Sequence, residues 1–132
     1  EVLAELSNCA DKVGQLIENY KFREALSEVM NLARLGNKYL ADTEPWKLKK
    51  TDEKRTQTIL NIALQIAAHL SVFSEPFLPF TAHKLSDMLN IEQGLWHKID
   101  ELQSGHKINV ANLLFSKIED EVIEQQLSRL KA

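Results

Sequence analysis

Between Glu53 and Ser74 the chain places Ile59, Leu60, Ile62, Ala63, Leu64, Ile66, Ala67, Leu70 and Phe73 on a helical period, leaving little polar face. A helix that is apolar nearly all round must be enclosed by other elements. This segment therefore predicts the central member of a helical bundle. Asn61, Gln65, His69 and Ser71 interrupt it, so its apolar run falls short of the ~20 residues of a membrane span. Pro76 and Pro79, separated by Phe77 and Leu78, end or kink it.

Neighbours for that helix are visible on both sides. Val2, Leu3, Leu6, Cys9, Ala10, Val13, Leu16 and Ile17 recur at steps of three and four, which predicts an amphipathic helix. After the polar break Glu18-Asn19-Tyr20-Lys21, a second stripe runs through Phe22, Leu26, Val29, Met30, Ala33, Gly36 and Leu40. So short a break makes the two helices antiparallel neighbours. Pro45 suits the first position of a short helical turn, and Thr51 and Asp52 are cap candidates for the central helix. Beyond the prolines a further helix carries Phe80, Leu85, Met88 and Leu89 toward the core. Gly94, Ser104 and Gly105 then punctuate a connection holding Trp96, His97 and His106. Ile108, Val110, Leu113, Leu114 and Phe115 read as an extended apolar segment laid across the bundle. Helical spacing returns from Ile118 to Leu130. The expected fold is one all-α domain over residues 1–132, an antiparallel bundle of about five helices.

Composition narrows the function classes. Apolar residues make up 44% and charged residues 27%, the profile of a soluble globular chain. No signal-peptide pattern is expected, since Glu1 opens an already periodic segment. The single cysteine, Cys9, excludes an internal disulfide and a cysteine zinc site, which favours a reducing, cytoplasmic home. Net charge is −3, so there is no global basic footprint. From Lys21 to Arg55, however, nine basic residues face six acids, a local +3 that leaves −6 for the rest. That pattern fits either a solvated face or a local polyanion partner.

Catalytic chemistry is absent from the pattern. The four glycines are isolated and form no phosphate loop. His69, His83, His97 and His106 make no metal-ligand pair at i, i+4. His69, inside the apolar helix, reads as a hydrogen-bonded core histidine, and Cys9 as inert packing. Glu119, Asp120 and Glu121 suit the first turn of the last helix, where carboxylates complement the macrodipole. No catalytic residue and no metal ligand is expected.

Binding chemistry concentrates at Trp46. A Trp behind a Pro and flanked by Lys47, Lys49 and Lys50 is poor core design. It suits stacking on an unpaired base while ammonium groups hold phosphates nearby. Asn37 offers a donor and an acceptor from one amide, as reading a base edge requires. Each residue also has a structural alternative. Trp46 could be a lid closing the bundle with its N–H on a helix carbonyl, a role that also fits Trp96. Asn37 could be a helix C-cap.

Asn37-Lys38-Tyr39 followed by Pro45-Trp46 resembles the Asn-x-Tyr…Pro-Trp signature in the α-helical anticodon-binding domain of methionyl-tRNA synthetases. Three further stretches resemble that family in order and spacing: Phe22 to Leu26, Glu75 to Pro79, and Gly105 to Ile108 continuing through Leu114 to Glu119. The resemblance implies a fragment of a class I aminoacyl-tRNA synthetase that recognises the CAU anticodon of the methionine tRNA. Trp46 would stack on the first anticodon base; the residues themselves add Asn37 as a reader of a base edge. Lys47, Lys49, Lys50, Lys38 and Arg34 would contact phosphates. It also implies a catalytic domain upstream that uses ATP, and in some members zinc. This chain carries neither His-Ile-Gly-His-like nor Lys-Met-Ser-Lys-Ser-like stretches and no cysteine knuckle, so no cofactor is expected here. One departure stands out. The family also reads the anticodon with an Asn and an Arg on a helix before this chain's first residue, and Asn37 is not that Asn. An apolar groove is expected where that helix would pack. Two alternatives remain at this stage: the anticodon domain of another class I synthetase (leucyl, isoleucyl, valyl or cysteinyl), and a helical protein-interaction module whose final helix, Ile118 to Ala132, docks elsewhere.

Overall fold

A computed structural model describes residues 2–92, 96 and 99–130. Among them the chain forms five helices of 11 to 22 residues and one single turn. In chain order these are α1 (Val2–Glu18), α2 (Phe22–Thr43), α3 (Pro45–Leu48), α4 (Glu53–Phe73), α5 (Pro79–Leu89) and α6 (Asp120–Leu130). The described residues contain no strand, so the all-α expectation stands. Among the described residues no helix is long and apolar enough to cross a membrane.

The predicted centre is the observed centre, because α4 packs against α1, α2, α3 and α5. Asp52 caps it, its carboxylate accepting from the Arg55 N–H at 2.9 Å. One core joins Leu6 and Val13 of α1, Ala25, Val29 and Leu32 of α2, and Ile66, Val72 and Phe73 of α4. A second joins Ala68 of α4, Leu89 of α5 and Leu102 of the following loop. Gly36 permits the close approach of α2 to α4, since a Cβ there would lie 3.1 Å from Ile66 Cγ2.

Three helices stop without glycine. Tyr20, Glu44 and Asn90 adopt the left-handed conformation at φ 60°, 42° and 53°. After α1, Lys21 N–H reaches Leu16 O and Tyr20 N–H reaches Ile17 O; after α5, Ile91 N–H reaches Ser86 O and Asn90 N–H reaches Asp87 O. Both are Schellman ends. Glu44 closes α2 with the single bond of its N–H to Leu40 O, at 3.0 Å.

Several expectations are corrected. Phe22 and Leu26 are exposed, because the buried stripe of α2 is Ala25, Val29 and Leu32. Phe80 is 84% exposed: α5 buries Ala82, Ser86 and Leu89, and Phe80 projects from the opposite side of the helix. The 106–112 segment does lie along α5, but not by burying its apolar side chains. His106 Nε2 meets Leu89 O at 2.7 Å, and Asn90 Nδ2 donates to Lys107 O at 3.0 Å. Asn109 donates from its backbone to Met88 O at 2.9 Å and from Nδ2 to Asp87 O at 2.6 Å. Ile108, Val110, Leu113 and Phe115 stay exposed. α6 buries none of its residues. Gly94, His97, Ala132 and the side chains of Val2 and Leu3 lie outside the described residues.

Candidate nucleic-acid interface

The turn between α2 and α4 is hydrogen-bonded along its length. Thr43 Oγ1 donates to Tyr39 O at 2.6 Å in the last turn of α2. Glu44 then reverses the chain, and Pro45, at the first position of α3, is buried. Lys47 N–H donates to Glu44 O at 2.9 Å, Lys49 N–H to Pro45 O at 3.1 Å, and Asp52 N–H to Leu48 O at 2.8 Å. Because α3 packs on α4, the turn has a fixed base. Glu44 is an unusual residue here, since glycine or asparagine favours a left-handed helix end and a residue before proline favours extended backbone. Such a conformation costs about 1–3 kcal/mol and persists only where the surroundings hold it.

On that base the Trp46 side chain faces solvent at 61% exposure. Its indole N–H has no protein acceptor among the described residues, so the lid alternative does not describe it. Trp96 fills that structural role: Nε1 donates to Ala10 O at 3.0 Å, and the ring lies 5.0 Å from Phe73. Around Trp46, Lys47, Lys49 and Lys50 are exposed. Lys47 Nζ pairs with the Glu44 carboxylate at 2.7 Å. Lys49 and Lys50 have no ion-pair partner among the described residues.

Asn37 lies inside α2, six residues and about 9 Å of helix rise before its end, which overturns the C-cap alternative. Its amide is exposed and makes no hydrogen bond among the described residues. Arg34, Asn37 and Lys38 share one exposed face of α2 at i, i+3 and i+4. Arg34 Nη1 donates to Asn31 Oδ1 at 2.8 Å. The structure therefore groups the expected residues in two sets, one on the C-terminal half of α2 and one on the turn that follows it. Sequence reasoning missed Glu44, whose left-handed backbone and ion pair no local pattern signals.

The arrangement offers an aromatic face and ammonium groups rather than acid–base machinery. No three His, Cys, Asp or Glu side chains cluster to hold a metal among the described residues. His69 Nδ1 is bonded to Gln65 O at 2.8 Å, in keeping with a core histidine. Burial, then the Glu28 carboxylate, push the Cys9 thiol above its ordinary range, against an opposing pull from Lys12. A thiol held protonated in this way is a poor nucleophile.

The family described as "Anticodon binding domain of methionyl tRNA ligase" matches residues 1–132. The chain is 54% identical to a methionine–tRNA ligase of Phocaeicola vulgatus, over all of this chain and 20% of that protein. It is also 54% identical to one from Christiangramia forsetii, with the same coverage. With the ligase of Flavobacterium johnsoniae identity is 46%, over all of this chain and 23% of that protein. The chain thus spans about a fifth of the length of these relatives. It belongs to the family of anticodon-binding domains of methionyl-tRNA ligases.

Proposed function

We propose that this chain reads the CAU anticodon of the methionine tRNA on behalf of a longer ligase that uses ATP to join methionine to that tRNA. The observation that carries the reading is the Trp46 indole, solvent-facing on a turn whose Pro45 is buried. Trp46 serves as the platform for the first anticodon base. Asn37 reads a base edge, and Lys49, Lys50, Lys38 and Arg34 neutralise phosphates, with Lys47 beside them. The described residues present no metal-ligand cluster, and the sequence no phosphate loop. On this reading ATP, and zinc where it is used, are bound by the ligase's catalytic body. Cys9, a free thiol, fits a cytoplasmic setting.

Base–aromatic stacking contributes roughly 1–3 kcal/mol per base. Trp46→Ala in the full-length ligase should therefore lower kcat/KM for tRNA by roughly 5- to 150-fold. Adenylate formation without tRNA should stay near wild type. Equal loss of both activities would count against the reading. A second role is favoured by the exposed apolar seam of α6, formed by Val122, Ile123, Leu127 and Leu130. That seam suits docking on the ligase's own catalytic body, away from the RNA.

A further inference from the structure

We propose that the groove between α4 and the 101–106 loop binds a second unpaired base of the RNA, an adenine or a cytosine, through that base's exocyclic amino group. The proposal rests on the reading of the chain as an RNA binder with Trp46 as its first platform. The groove encloses about 730 Å³, within the range of sites that hold small ligands. Gln57, Leu60, Leu64, Glu101, Gln103 and His106 are among the residues that line it. Its loop wall is fixed to α4, since Leu102 exchanges two hydrogen bonds with the Gln65 amide, at 2.9 and 3.0 Å.

The groove is rich in acceptors. Gln57 turns its amide nitrogen to the Glu53 carboxylate at 3.4 Å, and Gln103 turns its own to Glu101 O at 3.2 Å. Both amide oxygens are left without a partner among the described residues, and so is the Glu101 carboxylate. His106 meets Leu89 O through Nε2 at 2.7 Å; with the ring proton placed there, Nδ1 is an acceptor. Such a lining suits a ligand that brings N–H donors. Adenine and cytosine bring an amino group, where uracil brings a carbonyl, and a carboxylate accepting from cytosine N4 is a recurrent pairing. Leu60, 47% exposed although its helix is the centre of the bundle, and Leu64 offer the base an apolar face.

A cationic side chain of a partner protein would also seek acceptors, and the approach to the groove decides between the two. Lys54 precedes Gln57 by three residues on the same face of α4, with no ion-pair partner among the described residues. Lys49 and Lys50 precede it in the Trp46 turn. These ammonium groups repel a cation and attract a phosphate. A nucleotide carries both complements, an anion for Lys54 and an amino group for the groove. Gln57 stands about 6 Å of helix rise beyond Glu53, the first residue of α4, so the groove opens next to the turn that carries Trp46.

The test measures binding of the full-length ligase to the CAU stem–loop and to copies in which one loop adenine becomes purine, or one loop cytosine its 4-deamino analogue, so that only an amino group is lost. At one position other than the base on Trp46, that loss should weaken binding about two- to tenfold. Glu101→Ala and Gln103→Ala should weaken the unmodified RNA by a similar factor and leave the RNA lacking that amino group unchanged, a pattern that misfolding would not produce. Lys54→Ala should weaken both RNAs alike and lower each slope of log K against log salt by about 0.7. Equal losses for the two RNAs in Glu101→Ala and Gln103→Ala would overturn the proposal. So would wild-type affinity throughout, the result expected if the groove takes a cationic side chain instead. Trp46→Ala separates the two levels. If it leaves every RNA bound as in wild type, the platform reading itself fails; if it weakens binding while Glu101→Ala and Gln103→Ala show no difference between the RNAs, only the role of the groove fails.

Discussion

Two tryptophans in one short chain have opposite environments, and the difference lies in what each indole N–H meets. Trp96 donates to Ala10 O and packs on Phe73. Trp46 has neither an acceptor nor a ring partner among the described residues. The sequence left Trp46 divided between lid and platform, because a Pro-Trp pair is compatible with both. Pro45 at a first helical position and Asp52 as a cap were readable from residue type alone. Glu44 was not, because propensity gives no reason to place glutamate at positive φ. The open lysines of this turn carry a prediction. Lys49→Ala or Lys50→Ala should weaken binding to CAU and altered stem–loops alike and lower each salt slope by about 0.7 to 0.9. A loss confined to one RNA would mean that these side chains read bases.

Among the elements, α4 was legible because its pattern leaves little polar face, and α1, α2, α3 and α5 pack against it, although Leu60 of that pattern stays 47% exposed. Its polar interruptions were less legible. Gln65, buried in the apolar run, makes a reciprocal pair with one residue of the distant loop. Nε2 donates to Leu102 O at 2.9 Å, and Oε1 accepts from Leu102 N–H at 3.0 Å. Asn61 Nδ2 reaches the same carbonyl at 3.4 Å. No periodicity reports a contact across 37 residues, so the pair had no sequence signal. Gln65→Ala would leave a buried N–H without a partner and weaken the hold on the carbonyl. It should destabilise the fold by about 2–4 kcal/mol in urea unfolding, whereas a change under 0.5 kcal/mol would show that water replaces the amide. Phe80 and Leu26 went the other way. Both fit an apolar period, yet the faces that the helices bury are those of Ala82, Ser86 and Leu89 in α5 and of Ala25, Val29 and Leu32 in α2.

At the scale of the whole molecule the chain divides into a packed body and an uncovered C-terminal stretch. From Ile108 to Leu130 nine large apolar side chains are exposed, Leu113 at 91%, although polar tethers fix where the stretch leaves α5. Helical period identified α6 correctly but could not say what it packs against, since an amphipathic stripe marks a face to be covered without naming the cover. Ending the chain at Phe115 should shift its thermal midpoint by less than about 2 °C; a larger drop would mean that α6 closes the core. The proposed recognition likewise depends on the folded whole, because the turn that carries Trp46 joins α2 to α4 and its α3 packs on α4. The most direct measurement is a tryptophan-fluorescence titration of this chain with the CAU stem–loop, alongside Trp46→Phe. Stacking should quench the Trp46 emission saturably and leave the emission of half-buried Trp96, whose indole N–H is bonded to Ala10 O, as a constant remainder, with no quench in the variant. A mobility shift that shows the RNA bound while Trp46 emission stays unchanged would contradict the account.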